Sequence, residues 1–435
     1  MRKNKFYEVQ MDKDGVPLSA AELETQIARV IKLAGESKGI PVGALTSENR
    51  DIWTDARETL IKASPKNAHS LERIESAIII VPLDDTKPVT RDDISWKCWV
   101  GDGRNRFYDK HQLIVFDNGR AGFLGEHSCM DGTPTLRMSE FILSSIAAGK
   151  VDYGPPSVRA DLPAPKELAF ELDAASEQAI RAAEAHFDEL VGRHDMQVLH
   201  YEGYGKNQIK HYKVSPDALA QLVKQLAFHK MFGRPGVCYE SAQTRKFKLG
   251  RTEVIRSASA ESRAWAEAML DPGESDLRRA ELFRKAVGRH LQYAAWAADG
   301  QGVDRHLFGL KKLIKEGEEV PKLYTDPAYS RTNHWELSTS NLSSSWLDGW
   351  GYGEGPSLGS CTTAEYCRTD GSCLSTVVPD GYGLSYSIGD DHIRWTITSL
   401  KRDTAELKHY LAEAATETRA MLDRAVVKEK EKAKL

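Results

Sequence analysis

The chain has 435 residues, of which 41% are apolar and 28% charged, an ordinary balance for a globular protein with room for two domains. A formal net charge of -4 gives no reason to expect a nucleic-acid partner, so an anionic ligand would need a local basic site. No apolar run reaches the roughly 18 residues that span a bilayer. The six cysteines include no CxxC pair, so we expect neither a disulfide scaffold nor a bound metal.

Helical and strand-like patterns alternate in the first part of the chain. Ser19 is placed to cap an amphipathic helix over 19–34. The other predicted elements are a helix over 49–63, a buried strand over 76–83, a strand-like run over 107–116 that leads into a type-I′-like Asn118-Gly119 turn, and a helix over 137–148.

A proline-rich stretch, 152–165, is the clearest linker in the sequence. Long helices are predicted after it. The expected elements are helices over 171–191, 216–231 and 261–299 with a break at Pro272-Gly273, a strand over 197–201, a strand over 377–383 that ends in a tight turn, and a mostly helical segment over 393–427. Helices and strands on both sides of the linker indicate two α/β domains.

The segment GFLGEHSCMDGTP, 122–134, holds a candidate for proton transfer. His127 lies between Glu126 and Ser128, and Asp131 follows four residues later. A histidine that moves a proton near neutral pH needs a group that fixes its ring, and Asp131 is placed to do so. Judged alone, the motif also fits a structural histidine.

Two further stretches are rich in polar groups. Lys206 and Lys210 lie in a loop that ends at a helix start capped by Ser215, where lysines can hold phosphates or can simply be solvated. Residues 239–259 carry hydroxyls and arginines that fit either a polar ligand or an exposed strand pair. Arg305 has two possible partners, a ligand carboxylate and its neighbour Asp304.

Taken together, these segments resemble the choline/carnitine acyltransferase family, and most closely its fungal-type carnitine acetyltransferases. The matching segments occur in family order and cover nearly the whole chain from about Phe6. They are GALTSENRDIW, NRFYDKHQLIV, GEHSCMDGTP, the loop from Lys206 to Asp217, YESAQTRKFKLGRTEVIRSAS, GVDRHLFGLK, ELSTSN and VVPDGYG.

The resemblance implies a role for each matching residue. His127 is the general base, Asp131 orients it, and Ser340 supports the oxyanion. The CoA-binding positions are Lys206, Lys210, Asp217 and Asn341, the last replacing the glutamine that the family has there. The carnitine-binding positions are Tyr239, Ser241, Thr252, Arg305, Ser338 and Tyr352. Arg305 and Thr252 serve the carboxylate that choline lacks, and Trp350 fills the acyl pocket, so carnitine and a short acyl group are favoured.

The resemblance also implies the fold. We expect two chloramphenicol-acetyltransferase-like α/β domains with mixed sheets flanked by helices: an incomplete catalytic-histidine domain over 1–160, and a second domain over 161–435 that binds CoA and carnitine. The segment 355–376 interrupts a family strand and is either an in-frame retained intron or a surface loop. About a third of a full-length member is missing before Phe6, so the chain alone is expected to be unstable or poorly active.

The implied reaction is reversible transfer of an acetyl group between CoA and carnitine. Acetyl-CoA is a co-substrate, and no cofactor is permanently bound. The alternative is a truncated, non-catalytic fragment that at most binds CoA. The ending Ala433-Lys434-Leu435 resembles a peroxisomal address read by an import receptor, although it also fits a charged helix tail. A mitochondrial location is implied if a longer form exists, and we expect a monomer.

Overall fold

The computed structural model of the protein describes residues 1–126, 128, 132–343 and 378–432. The chain divides into two compact units, the first ending at Arg193 and the second beginning at His194. Within these ranges no helix is both long enough and apolar enough to cross a bilayer.

Several helices of the first unit begin where a capping side chain satisfies free backbone N–H groups. Ser19 and Glu22 form a capping box, so the predicted first helix is confirmed, and Asn49 caps the next one. The helices are α1 (Ala20–Ala34), α2 (Arg50–Ala63), α3 (Pro65–Ser76), α4 (Arg91–Trp99), α5 (Gly132–Ala147) and α6 (Ala174–Gly192), with a 3₁₀ helix at Val42–Ser47.

The strands of the first unit are short and form three small sheets. They are β1 (Phe6–Glu8), β2 (Asp12–Lys13), β3 (Val16–Pro17), β4 (Leu83–Asp84), β5 (Gln112–Phe116), β6 (Ala121–Leu124) and β7 (Lys166–Leu168). β1 pairs with β7, and β2 pairs with β3. In the third sheet β4 lies parallel to β5, and β5 and β6 form an antiparallel hairpin.

One prediction for the first unit is wrong, and another holds only in part. Of the buried strand over 76–83 only the end forms: α3 runs to Ser76 and Ile78 is 92% exposed, but Ile80 bridges Gln112 and Leu83 pairs with Val115 of β5. The turn between β5 and β6 is not type I′, since Gly119 has a positive φ of 80° while Asn118 does not. Gly119 N–H instead donates to the carbonyl of Phe116, as in a three-residue turn that ends in a left-handed glycine.

The second unit is built on one six-stranded mixed sheet. Its strands are β8 (Asp195–Tyr201), β9 (Cys238–Gln243), β10 (Thr252–Ile255), β11 (Leu337–Asn341), β12 (Tyr382–Ile388) and β13 (Ile393–Ser399). The order across the sheet is β10-β9-β11-β12-β13-β8. β11 runs parallel to both of its neighbours, and the other pairs are antiparallel.

Helices flank this sheet, and the predicted mixed α/β class is confirmed. They are α7 (Lys206–His211), α8 (Pro216–Phe232), α9 (Ala260–Leu270), α10 (Asp276–Ala298), α11 (Asp304–Lys312), α12 (Lys322–Thr325), α13 (Pro327–Thr332) and α14 (Thr404–Lys432). Helix α8 is buried along most of its length and packs in the core with Trp265, Phe283 and Trp395. Its predicted cap, Ser215 before Pro216, is confirmed, as is the break between α9 and α10.

Two predictions for the second unit are wrong, and a third holds in part. The segment over 393–427 is mostly helical as predicted, since α14 begins at Thr404, but its first residues, 393–399, form a buried strand. Near Tyr382 the chain turns first and the strand follows, the reverse of the predicted order. Lys206 and Lys210 lie in a short helix and not in a loop.

The proline-rich segment contains no helix or strand between Ala147 and Lys166. The assignment of 1–160 and 161–435 to two domains stays a prediction. Helix α6 packs in the core of the first unit, where Ile180 and Ala183 are buried with Trp53 and Leu60. The break between the compact units therefore lies beyond the linker, after Arg193.

Candidate substrate-binding site

The register of β9, β11 and β12 sorts the polar side chains of the central sheet onto two faces. Ser338 pairs with Tyr239 on one side and with Gly383 on the other, so alternate residues of the three strands line up. One face, called here the hydroxyl face, carries Tyr239, Ser241, Ser338, Ser340 and Ser385. The opposite face, called the acidic face, carries Glu240, Thr339, Asn341 and Tyr386.

Arg305 lies beside the hydroxyl face. Its Nη2 donates to the hydroxyl of Tyr239 at 3.2 Å and to Oγ1 of Thr252 at 3.1 Å, and its Nε donates to the carbonyl of Thr252 at 3.2 Å. The Tyr239 hydroxyl also lies 2.9 Å from Oγ of Ser241. The structure thus brings together four of the residues expected to bind carnitine around one exposed guanidinium.

A second arginine, Arg256, binds the acidic residue that precedes Arg305 in the sequence. Arg256 pairs with Asp304 through contacts of 2.5 and 3.2 Å, so the carboxylate next to Arg305 in sequence is held by another arginine. The Arg256 guanidinium also lies 4.4 Å from the ring of Trp335, which packs edge-on against Tyr239. Asp304 is therefore paired with Arg256 and not with Arg305.

A compact hydrogen-bonded cluster occupies the acidic face. Asn341 Nδ2 donates to Oδ1 of Asp217 at 2.8 Å, and the Tyr386 hydroxyl lies 2.6 Å from the same oxygen. His290 Nε2 lies 3.4 Å from Oδ2 of Asp217. The structure therefore places two expected CoA-binding residues, Asp217 and Asn341, in contact.

The two carboxyl groups of this cluster, Asp217 and Glu240, have pKa values that are shifted in opposite directions. Burial alone would raise the pKa of Asp217, but hydrogen bonds from His290, Tyr386 and Asn341 and the charge of Lys224 lower it to about 2. Burial, reinforced by the negative charge of Asp217, raises the pKa of Glu240 instead. Asp217 is 36% exposed at its side chain and can meet a ligand, whereas Glu240 is buried.

Metal-ligand atoms gather at two places in the described part of the chain. Asp217, Glu240 and His290 offer atoms within 4.8 Å of one another, as do His334, Glu336 and Asp380. The first group lies near the buried ammonium of Lys224, which opposes a cation there. In the second, Arg234 already binds both oxygens of Glu336. Neither arrangement is that of a vacant metal centre.

Helix α7 carries the two lysines expected to contact CoA. Lys206 and Lys210 are one turn apart, which puts them on the same side of the helix. Lys206 forms an ion pair of 2.8 Å with Asp390, and the Lys210 side chain is exposed. The two lysines therefore offer a local basic patch in an acidic protein.

The remaining predicted site residues lie outside the described residues. They are His127, Asp131, Trp350 and Tyr352, together with the interrupting segment 355–376 and the ending Ala433-Lys434-Leu435. Beside His127, the backbone N–H of Glu126 donates to Nδ1 of His111 at 3.0 Å. Ser128 in turn donates through its N–H and hydroxyl to the Glu126 carboxylate at 2.9 and 2.7 Å, so both neighbours of His127 are held in place.

Known proteins resemble this chain along most of its length. The profile described as Choline/Carnitine o-acyltransferase matches residues 1–413. The chain belongs to this family. The resemblance drawn from its motifs is confirmed, including the similarity to fungal carnitine acetyltransferases.

The similar curated proteins include acyltransferases from yeast and vertebrates. The mitochondrial carnitine O-acetyltransferase of Saccharomyces cerevisiae is 36% identical over 100% of this chain and 63% of its own length. The carnitine O-acetyltransferase of Columba livia is 33% identical over 97% and 66%. The peroxisomal carnitine O-octanoyltransferase of Bos taurus is 34% identical over 87% and 60%. The chain thus spans less than two thirds of the length of these relatives.

Among solved structures, the epimerization domain from the third module of tyrocidine synthetase B overlaps with 81% of this chain and 81% of its own. The TM-score of that overlap is 0.41, and the sequences are 12% identical.

Four residues on the acidic face or packed against it were not anticipated from the sequence: Glu240, Tyr386, Lys224 and His290. Glu240 alternates with Tyr239 and Ser241 along β9, so the strand period gave a signal for a second polar face. Lys224 follows Asp217 by seven residues on α8, a spacing that puts both on one side of a helix. His290 and Tyr386 come from distant elements, and nothing in the local sequence joins them to Asp217.

Proposed function

We propose that this acyltransferase chain moves an acetyl group reversibly between CoA and carnitine, with His127 as the general base. The observation that carries the proposal is the Arg305 guanidinium, held between the hydroxyls of Tyr239 and Thr252. A guanidinium binds a carboxylate through two N–H groups, and carnitine has a carboxylate where choline has none. Tyr239, Ser241 and Ser338 then contact the rest of carnitine, together with Tyr352.

CoA contacts Asp217, at the edge of the acidic face, and the lysines of α7 in this proposal. Lys206 and Lys210 bind phosphate oxygens, and the Asp217 carboxylate, fixed by Asn341, accepts hydrogen bonds from N–H donors of the coenzyme. The half-exposed Asp217 and exposed Lys210 support this assignment, since both are reachable from solvent.

The chemistry requires one proton to move and one carbon–sulfur bond to break. His127, oriented by Asp131, takes the proton of the carnitine hydroxyl as its oxygen attacks the thioester carbonyl of acetyl-CoA. The Ser340 hydroxyl, on the same face of the sheet as Tyr239, donates to the oxyanion that forms. Collapse expels the CoA thiolate, which takes the proton back from His127, and acetylcarnitine leaves. No covalent enzyme intermediate and no permanently bound cofactor is needed.

Two finer parts of the proposal depend on residues outside the described ones. Trp350 fills the acyl pocket beside Tyr352 and limits the substrate to short acyl groups. Ala433-Lys434-Leu435 addresses the protein to the peroxisome through an import receptor. Its relatives include a mitochondrial and a peroxisomal enzyme, which is consistent with either compartment.

A transfer assay tests the proposed reaction. Chain 1–435 is incubated with acetyl-CoA and either L-carnitine or choline, and acetylated product and free CoA are measured together. We expect acetylcarnitine at a low rate, no acetylcholine, and no acetylcarnitine from His127→Ala, while that variant still binds CoA.

Three other outcomes of this assay would contradict part of the proposal. CoA binding without any acetylcarnitine would favour the alternative of a non-catalytic fragment. Free acetate released without carnitine would indicate a hydrolase. Acetylcarnitine from His127→Ala at the wild-type rate would overturn the assignment of the base.

A further inference from the structure

A lysine lies in the interior of the second unit, under the acidic face. Lys224, on α8, is only 1% exposed and is among the largest fully buried side chains of the described residues. Its Nζ lies 3.5 Å from the centre of the Tyr386 ring. Among the residues that the structure describes, this ammonium has no hydrogen-bond partner. An isolated buried charge is costly, so Lys224 must be compensated electrostatically.

The groups around Lys224 come from four elements. Asp217 lies two turns earlier on α8, Cys238 and Glu240 lie on β9, Tyr386 lies on β12, and His290 lies on α10. Burial lowers the pKa of Lys224 to about 8, while Glu240, Cys238 and Asp217 act in the opposite direction. Lys224 therefore stays largely protonated at neutral pH.

The hydrogen bonds of Tyr386 indicate which of the two carboxyl groups, Asp217 or Glu240, carries a proton. The Tyr386 hydroxyl lies 2.6 Å from Asp217 and 2.5 Å from Glu240, yet it has one proton to donate. A second proton must lie on a carboxyl group for both contacts to be hydrogen bonds. Glu240 is the one that carries it, because burial raises its pKa and its Oε2 accepts no hydrogen bond from the described residues.

The result is a directed chain of hydrogen bonds. With the second proton on Glu240, Glu240 donates to Tyr386 and Tyr386 donates to Asp217, which leaves the negative charge of the two carboxyl groups on Asp217. The Lys224 ammonium places a positive charge behind the tyrosine ring. Because only Asp217 reaches solvent, the buried part of the chain controls a carboxylate that a ligand can touch.

We propose that Lys224 is a positioning residue for CoA, whose buried ammonium behind the tyrosine ring keeps Tyr386 directed toward the Asp217 carboxylate. The inference rests on the proposed function, in which Asp217 binds the coenzyme. Lys224 itself touches no substrate and acts through Tyr386 and Asp217.

The test replaces the ammonium by an apolar group of similar length, Lys224→Met. The matched control is Lys230→Met on the same helix, whose ammonium pairs instead with Glu413 and Glu417 at 2.8 and 2.9 Å. Carboxyl-carbon NMR titration measures Asp217, with Asp217→Asn assigning its resonance. Calorimetry measures CoA and L-carnitine affinity at pH 7.

In Lys224→Met we expect the titration midpoint of Asp217 to rise by about one pH unit. We expect the Kd of CoA to rise by about five-fold, with carnitine affinity unchanged. Lys230→Met should change neither, and Lys224→Arg, which keeps the charge, should recover part of the CoA affinity. If the methionine variant does not fold, Lys224→Gln takes its place, since it also removes the charge.

Two results would overturn the role of Lys224 alone. One is an unchanged titration midpoint of Asp217 in folded Lys224→Met. The other is an unchanged Kd of CoA in Lys224→Met when Asp217→Asn does weaken CoA binding. An unchanged Kd of CoA in Asp217→Asn would overturn the proposed CoA contact, and with it this inference. The two failures are thereby distinguished.

Discussion

Asn341 Nδ2 donates a hydrogen bond of 2.8 Å to Oδ1 of Asp217, joining the end of strand β11 to the first turn of helix α8. A second contact holds the asparagine itself, because the hydroxyl of Ser343 donates to its Oδ1 at 2.7 Å. The amide is therefore fixed on both sides, and it presents Asp217 in one orientation.

Removing this amide should weaken CoA binding. In Asn341→Ala, Asp217 loses a donor, so its pKa rises from about 2 and its orientation loosens. We expect the Kd of CoA to rise by about three- to ten-fold, the usual effect of one hydrogen bond to a charged group. Calorimetric titration measures it, with Asn333→Ala as the control. Equal CoA affinity in both variants would contradict the role of Asn341.

The two lysines of α7 should contribute unequally to CoA binding. Lys206 is already paired with Asp390, whereas Lys210 is exposed, so Lys210→Ala should cost more affinity than Lys206→Ala. We expect an increase in the Kd of CoA of about five-fold for Lys210→Ala at low salt, shrinking as salt is added. Pantetheine, which has no phosphates, should bind all three proteins alike. An equal loss for pantetheine would contradict a phosphate contact.

Asp276 should stabilise the second unit in a pH-dependent manner. Its carboxylate pairs with Arg424 at 2.9 and 3.0 Å and with Lys428 at 3.2 Å, which ties α10 to α14. The hydrogen bond from Arg424 is the main cause that lowers the pKa of Asp276 to about 2. We expect Asp276→Asn to lower the free energy of unfolding at pH 7 by about 1–2 kcal/mol, because solvent weakens this partly exposed network.

The sign of that pH dependence follows from the lowered pKa. The stabilisation is fully present above the ordinary aspartate pKa of about 3.9 and is lost as the pH falls through about 2. Urea unfolding between pH 7 and pH 2 should therefore show the wild type and Asp276→Asn converging on the acid side. Glu281→Gln, which removes an exposed carboxylate from the same helix, should change stability less. A constant difference across the pH range would contradict the linkage.

Gly122 should tolerate no side chain. A Cβ at this position of β6 would lie 2.1 Å from Sγ of the buried Cys98. We expect Gly122→Ala to destabilise the protein by about 1–3 kcal/mol, as is usual for overpacking. Adding Cys98→Ala should recover part of this loss, and denaturant unfolding of both single variants and the double variant measures the coupling. Strictly additive losses would contradict the contact.

Local sequence predicted much of the fold, because caps and helical periodicity act over a few residues. Ser19 with Glu22, and Ser215 with Pro216, marked helix starts correctly. The failures arose where tertiary pairing decides. Residues 393–399 are held as a strand between β12, which precedes them directly, and β8, which is distant in sequence. Of the apolar run over 76–83 only Ile80 and Leu83 pair with β5, and Ile78 is exposed.

The residues of the candidate site likewise divide into those that the sequence predicted and those that it did not. Arg305, Thr252 and Tyr239 were each identified by a family motif, and the structure brings them together. The acidic face was mostly missed, since Lys224 and Tyr386 have roles only through contacts between α8 and β12. The residue spacing of a helix does not by itself distinguish a buried lysine from an exposed one.

Titration of L-carnitine and CoA into Arg305→Ala and Asp217→Asn tests the two assignments most directly. We predict that Arg305→Ala weakens carnitine binding by about 30- to 100-fold, the effect of losing a hydrogen bond between two charged groups, and leaves CoA binding unchanged. Asp217→Asn should do the reverse, weakening CoA and sparing carnitine. Both variants binding both ligands like the wild type, or the wild type binding choline as tightly as carnitine, would contradict the assignment.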